Sequence, residues 1–223
     1  IPKADVIVGP GNIFVALAKK LVYGLVNVDM IAGPSEILVI ADAKSNPVFV
    51  AADMLSQAEH DKLASAVLVT ESEQLALAVQ GEIERQLALM PREEIARASI
   101  ENNGKIIVCE SIQRAVDIAN QIAPEHLEVC VDDPMALLPS IKNAGSIFLG
   151  RYTPEALGDY YAGPNHTLPT GGSAKYSSPL SVDDFLKKSS YIMYTKDGLE
   201  EAADCVIKFA ESEGLYGHAN SVK

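Results

Sequence analysis

The residues able to do chemistry are few. The sequence has only four histidines, at positions 60, 126, 166 and 218, and each stands beside other polar residues and away from a plain apolar face. His60 closes the segment Gln57-Ala58-Glu59-His60. At this spacing Gln57 and His60 share one helix face, so two ligand-type side chains can grip one metal ion; alone, the pair is a weak signal. His126 follows Glu125 in Ala123-Pro124-Glu125-His126-Leu127, directly after a predicted helix. A carboxylate and an imidazole side by side can act as a general-base pair if both enter one cavity, although the segment by itself reads as a solvated turn. His166 ends the stretch that begins at Gly158, in which Asp159 is an oxygen donor suited to zinc. His218 lies in the tail with Glu213 shortly before it.

Two glycine turns add backbone features. Gly9-Pro10-Gly11-Asn12 lies between a predicted strand and a predicted helix. A helix start of that kind can hold an anion, but position 14, where a dinucleotide fingerprint needs a third glycine, is Phe14. Ala32-Gly33-Pro34-Ser35-Glu36 is a second Gly-Pro turn, with a hydroxyl on Ser35.

The elements that must position these groups are legible from hydrophobic spacing. Strands are predicted at Asp5–Val8, Ile37–Ile40, Ala66–Val69, Lys105–Cys109 and Ser146–Leu149. Helices are predicted at Ile13–Tyr23, Val48–Glu59, Thr70–Leu89 and Ser111–Ile122, the last capped by Ser111. Alternating strands and helices imply an α/β fold with a mostly parallel sheet covered on both faces. Arg151–Pro179 is rich in Gly, Pro, Tyr and Thr and shows no period; a loop so long is usually functional. From Ser181 the chain turns helical, with an amphipathic helix over Gly198–Gly214 and a tail, Leu215–Lys223, that has no core of its own.

Composition bounds the function. The chain has 223 residues, 48% hydrophobic and 22% charged, with a formal net charge of -12. That acidity argues against nucleic-acid binding, which needs a basic face. No stretch is long and apolar enough to span a bilayer, so no membrane role is expected. The opening residues, Ile1-Pro2-Lys3-Ala4-Asp5, show no secretory pattern. Cys109, Cys130 and Cys205 follow no metal-ligand spacing and read as reduced thiols. The expectation is a cytoplasmic protein.

Taken together the segments resemble histidinol dehydrogenase. The matching stretches are Val8-Gly9-Pro10-Gly11-Asn12, Ala32 to Glu36, Leu55-Ser56-Gln57-Ala58-Glu59-His60, Pro124-Glu125-His126-Leu127-Glu128, and the long run Thr153 to Gly172. They occur in the family's order and cover the chain from end to end. The resemblance implies that Gln57, His60, Asp159 and His218 are zinc ligands and that Glu125 and His126 are the catalytic pair. It further implies that Ser35, His166 and Glu213 contact histidinol together with His126 and the ligands, and that Asn12 contacts NAD. The implied reaction is the NAD-dependent, zinc-requiring oxidation of L-histidinol to L-histidine through histidinaldehyde, the last step of histidine biosynthesis. A zinc-dependent hydrolase and a catalytically inactive binding piece are the alternatives.

The resemblance also implies incomplete Rossmann-like parallel-sheet layers with a helical C-terminal extension. Residues 1–34 would be the end of a cofactor-side domain, 35–180 the later part of a catalytic zinc-binding domain, and 181–223 the extension. The family's chains carry a further N-terminal half, so this chain is expected to be a fragment. It would act as a homodimer with an active site shared between chains, the tail carrying Glu213 and His218 reaching the partner's site.

Overall fold

The computed structural model describes residues 2–223; residue 1 of the expected segment 1–34 lies outside them. They form two compact units, one ending at Phe185 and the other spanning Leu186–Lys223.

In the larger unit, β1 (Val6–Ile7) and β2 (Asn27–Val28) pair in parallel around α1 (Ile13–Val22). The main layer follows in chain order as β3 (Glu36–Ala41), α2 (Pro47–Ala58), β4 (Ser65–Thr70), α3 (Glu73–Leu87), α4 (Glu93–Asn103), β5 (Lys105–Val108), α5 (Ile112–Ile122), β6 (His126–Cys130), α6 (Pro134–Leu137), β7 (Ser146–Leu149) and α7 (Glu155–Leu157). Local chemistry sets the helix starts. Asn46 accepts the Val48 N–H ahead of Pro47, Ser72 accepts the Leu75 N–H, and Ser111 accepts the Arg114 N–H.

The five main strands are all parallel, in the order β5-β4-β3-β6-β7. The chain builds from β3 to one edge, then crosses back to lay β6 and β7 on the other side. Strand alternation divides the core. Ile37, Val39 and Leu68 pack with Met54, Leu55 and Val79 on one face. Leu38, Ile40, Leu127 and Val129 pack with Val116 and Ala119 on the other. Helices on both faces of a parallel sheet are the α/β arrangement expected.

The structure corrects several sequence-based expectations. Thr70 is the last residue of β4, and the predicted Thr70–Leu89 helix begins only after Ser72. Helix α4 and strand β2 were not anticipated. In α4 the only buried residues are Ala96 and Ser99 among charged neighbours, so its apolar stripe is too thin to see. Ser99 anchors it by donating to the Ala64 carbonyl at 2.8 Å. His126 is not in a solvated turn: it opens β6, whose residues are all buried.

The smaller unit is built on α8 (Lys196–Ser212), capped by Thr195, followed by α9 (Tyr216–Asn220) in the tail. The turn between them uses Gly214 at φ +75° and returns the Leu215 N–H to the Ala210 carbonyl. Among the described residues no helix is long and apolar enough to cross a membrane.

Leu68, on the inner strand β4, is fully buried. Leu68→Ala should lower unfolding free energy by about 2–5 kcal/mol through lost burial and the cavity left behind, read as a lower urea midpoint with an unchanged slope.

Candidate active site and metal centre

The site lies at the amino ends of β3 and β6. These strands are neighbours with Ile37 opposite His126, so the residues just before them, Ser35 and Glu125, are brought close although far apart in sequence. Glu125 accepts the Glu36 N–H at 2.9 Å through Oε2. His126 Nδ1 lies 2.9 Å from the Glu36 carbonyl oxygen. A carbonyl can only accept, so Nδ1 carries the hydrogen and Nε2 presents a lone pair. His126 Nε2 is buried and has no hydrogen-bond partner among the described residues. Phe148 on β7 flanks the imidazole, with ring centroids 6.0 Å apart. A Cβ on Gly158 would come within 2.5 Å of the Phe148 ring, so glycine there lets the following turn close over the site.

Helix α2 supplies another wall. Gln57, 1% exposed, sits in its last turn, and His60 follows as the backbone turns, its N–H bonded to the Gln57 carbonyl. Asp159 comes from a π-turn, Gly158–Ala162, that continues α7. These groups line one cavity of about 260 Å³ together with Gly9, Pro10, Gly11, Ser35, Glu125, His126, His166 and Thr170. A larger cavity of about 480 Å³ beside α3 and β5 contains none of the histidines, so size does not decide which cavity does the chemistry.

Of the residues expected at the site, the structure brings together Ser35, Gln57, His60, Glu125, His126, Asp159 and His166. Asn12 lies one residue beyond the glycine stretch bordering the cavity. It caps α1, its Oδ1 accepting the N–H groups of Phe14 and Val15 at 3.0 and 3.3 Å. Glu213 and His218 line a separate cavity within the smaller unit, beside Cys205 and Phe209. The glycine turn is braced by a buried ion pair. Asp29 accepts from Lys19 Nζ at 2.6 Å and from the Gly9 N–H at 2.8 Å. Burial pushes the Asp29 carboxyl up, but Lys19 and the backbone N–H groups outweigh it and hold it below the ordinary carboxylate range.

Sequence reasoning gave no role to Glu36 or Glu155. Glu155 is 4% exposed, with Oε1 3.7 Å from His126 Nε2. Its signal was available: Glu155 and Asp159 are one helical turn apart. His126, Glu155 and Asp159 each offer a ligand atom within 4.8 Å of the others. Burial raises the Glu125 carboxyl to about 8, and repulsion from Glu36, Asp159 and Glu155 adds to it. Burial also raises Glu36 and Glu155, and lowers His126 toward the neutral imidazole. A crowd of buried carboxyls around an unpartnered imidazole nitrogen fits a dication, whose charge would relieve the repulsion. Imidazole, carboxylate and amide oxygen donors suit zinc. In the glycine turn bordering the cavity, Gly9 adopts φ +119°, a conformation that favours glycine, and a Cβ there would meet no other atom.

The family model described as histidinol dehydrogenase matches residues 1–223. A histidinol dehydrogenase from Clostridium acetobutylicum is 60% identical over all 223 residues, which cover 52% of that protein. One from Aquifex aeolicus is 59% identical with the same coverage. A crystal structure of histidinol dehydrogenase from Elizabethkingia anophelis superposes with a TM-score of 0.90 at 42% identity, over 100% of this chain and 51% of that one. The chain thus spans about half the length of the relatives it matches.

Glu125 makes metal-free stability pH-dependent. Its carboxyl titrates at about 8 when folded, above the ordinary value of 4.5. Between these values the native state holds a proton that the unfolded chain has released, so the Glu125 contribution is present below pH 4.5 and lost as pH rises through 8. Glu125→Gln removes this term. With chelator present, the variant should gain on the unaltered chain by about 1.4 kcal/mol per pH unit across the window, measured by urea unfolding from pH 5 to 8.

Proposed function

The chain belongs to the histidinol dehydrogenase family, and we propose that it forms the metal- and substrate-holding part of an NAD-dependent enzyme oxidising L-histidinol to L-histidine. The observation that carries this reading is the buried, unpartnered Nε2 of His126, which shares a cavity with Gln57, His60 and Asp159.

His126 is held as the Nδ1–H tautomer by the Glu36 carbonyl, so Nε2 can take the hydroxyl proton of the alcohol as the carbon is oxidised to histidinaldehyde. Glu125, ionised where the charge of a bound dication lowers its raised carboxyl, then draws a proton from water attacking the aldehyde carbon, while His126 returns its proton to the carbonyl oxygen. His126 takes a proton again as the resulting diol is oxidised to the acid. Asn12 and the Gly9–Gly11 turn would be this chain's contacts with NAD, which would supply the hydride acceptor for each oxidation. Gln57, His60 and Asp159 would hold zinc, which would supply positive charge toward the amino and imidazole nitrogens of the substrate. Ser35 and His166 flank the substrate within the same cavity. Holding the aldehyde in the same cavity as Glu125 would position it for the second oxidation.

We assign His218 and Glu213 as the fourth ligand and a substrate contact, contributed in a homodimer whose active site is shared between chains. The protein would act in the cytoplasm.

The test is NAD reduction with L-histidinol and with histidinaldehyde, using these residues within a full-length enzyme. His126→Asn should slow both oxidations by about 10²–10⁴-fold, the usual worth of a general base. Glu125→Gln should slow the aldehyde step more than the alcohol step; equal slowing would refute the division of labour. Zinc content of chelator-treated, zinc-reconstituted protein should fall when His60 and Asp159 are both changed to Ala, and unchanged uptake would reject the metal assignment. If sites are shared, mixing a chain lacking Leu215–Lys223 with a His60→Ala chain should restore part of the activity that each lacks alone.

A further inference from the structure

Below the cavity lies a second tier of acids that the mechanism does not use, Glu128 and Glu155 buried and Asp53 half-buried. Three elements each carry one residue in the cavity wall and one beneath it. Helix α2 carries Gln57 with Asp53 one turn earlier. Strand β6 carries His126 with Glu128 two residues on, on the same face. Helix α7 and its π-turn carry Asp159 with Glu155 one turn earlier. Glu128 is 1% exposed, and its carboxyl shares a hydrogen bond with that of Asp53 when one of the two is protonated. An ionisable group at such a depth is costly, and a leucine would pack there without that cost.

One oxygen of Glu128 has a definite task. The residue preceding α7 is Pro154, which offers no side-chain cap. The first N–H groups of a helix have no partner within the helix, and Glu155 is too buried to find water there. Glu128 Oε1 accepts the Glu155 N–H at 2.8 Å. The cap that helices usually take from the preceding residue comes here from a strand in the sheet.

We propose that Glu128 is a positioning residue: by capping α7 from β6 it fixes Asp159 at the cavity, in register with His126 on the same strand. The proposal rests on the reading of Asp159 as a metal ligand. Burial, with Asp53 nearby, raises the Glu128 carboxyl well above the ordinary range, so the group acts as a neutral acid with one accepting oxygen. Glutamine has the same shape and the same accepting oxygen, methionine has similar bulk and none, and aspartate draws the oxygen back by one methylene.

The experiment uses the 223-residue chain and the metal alone. Zinc affinity is read by competition with a chromophoric chelator, cobalt(II) geometry by its visible spectrum, and the cap itself by hydrogen exchange of the Glu155 amide. Glu128→Gln should keep all three close to the unaltered chain. Glu128→Met should speed exchange at Glu155, weaken zinc by about 10–100-fold, the usual effect of losing a group that orients a ligand, and alter the cobalt spectrum. If the Met variant does not fold, Glu128→Asp should show the same losses. Unchanged exchange in the folded variants would overturn the cap. Faster exchange with unchanged zinc affinity, or a Gln variant as impaired as Met, would overturn the positioning role. Failure of the unaltered chain to take up zinc would instead overturn the metal-centre reading, and the positioning of Asp159 as a ligand with it.

Discussion

The hydrogen bond from His126 Nδ1 to the Glu36 carbonyl sets the terms for the rest of the site. It joins the first residues of β3 and β6, so it forms only when these strands pair in the observed register. A one-residue slip would turn His126 to the other face of the sheet and leave Nδ1 without this acceptor. The same register lets Glu125 take the Glu36 N–H. Both polar groups of one peptide chain segment are therefore committed to the two residues proposed to do the chemistry. The imidazole is oriented and its tautomer chosen before any substrate arrives, which is the preorganisation a general base needs.

Position within the sheet accounts for the electrostatics. Open α/β sheets usually bind ligands outside the carboxyl ends of their strands, where the strand order reverses and helix N-termini favour anions. Here the reversal lies between β3 and β6, but ion pairs cross its carboxyl end beside a cavity of only about 180 Å³. Arg151, just past β7, bonds Asp42 after β3 at 2.6 Å and Asp132 after β6 at 2.8 Å. The cavity with the histidines is at the opposite, amino end, where α2 ends. A helix C-terminus carries partial negative charge, and the carboxyls of Glu36, Glu125, Glu155 and Asp159 add to it. This is the poor end of such a sheet for a phosphate and the good end for a cation. The placement and the ligand types of Gln57, His60 and Asp159 point the same way.

How much of this could be read from the residues depends on how local each signal is. Helix α2 and the Gln57–His60 pair were legible because their spacing lies within one turn, although α2 ends at Ala58 and His60 stands in the turn after it rather than on a shared helix face. The strands β3 and β4 were legible because central parallel strands are apolar on both faces. Strand β6 was not, because His126 and Glu128 interrupt the apolar run and read as solvated, although every residue of the strand is buried. The Glu36 carbonyl and the Glu155 N–H, which orient the base and anchor the α7 turn, are backbone groups. No side-chain pattern announces them, and they matter only through contacts with residues 27 to 90 positions away. The residues of the cavity wall were identified by type and by resemblance. The residues behind the wall needed the fold.

The buried acids behind the wall are best understood as the cost of rigidity at the site. Asp53, Glu128 and Glu155 are all raised above the ordinary carboxylate range by burial, so each makes the folded chain less stable at neutral pH than an apolar residue would. An apolar tier, however, could not accept the Glu155 N–H at 2.8 Å or set a carboxylate 3.7 Å from His126 Nε2. Leucines would leave the start of α7 uncapped, and the π-turn carrying Asp159 would be held only by packing, which tolerates small shifts that a hydrogen bond does not. A metal ligand displaced by a fraction of an ångström orients its ion poorly. The sequence thus places its least stable buried groups directly under the cavity, and keeps the far face of the sheet, around Leu38, Ile40 and Val116, apolar. Stability is supplied where no chemistry is done and given up where ligands must be aimed.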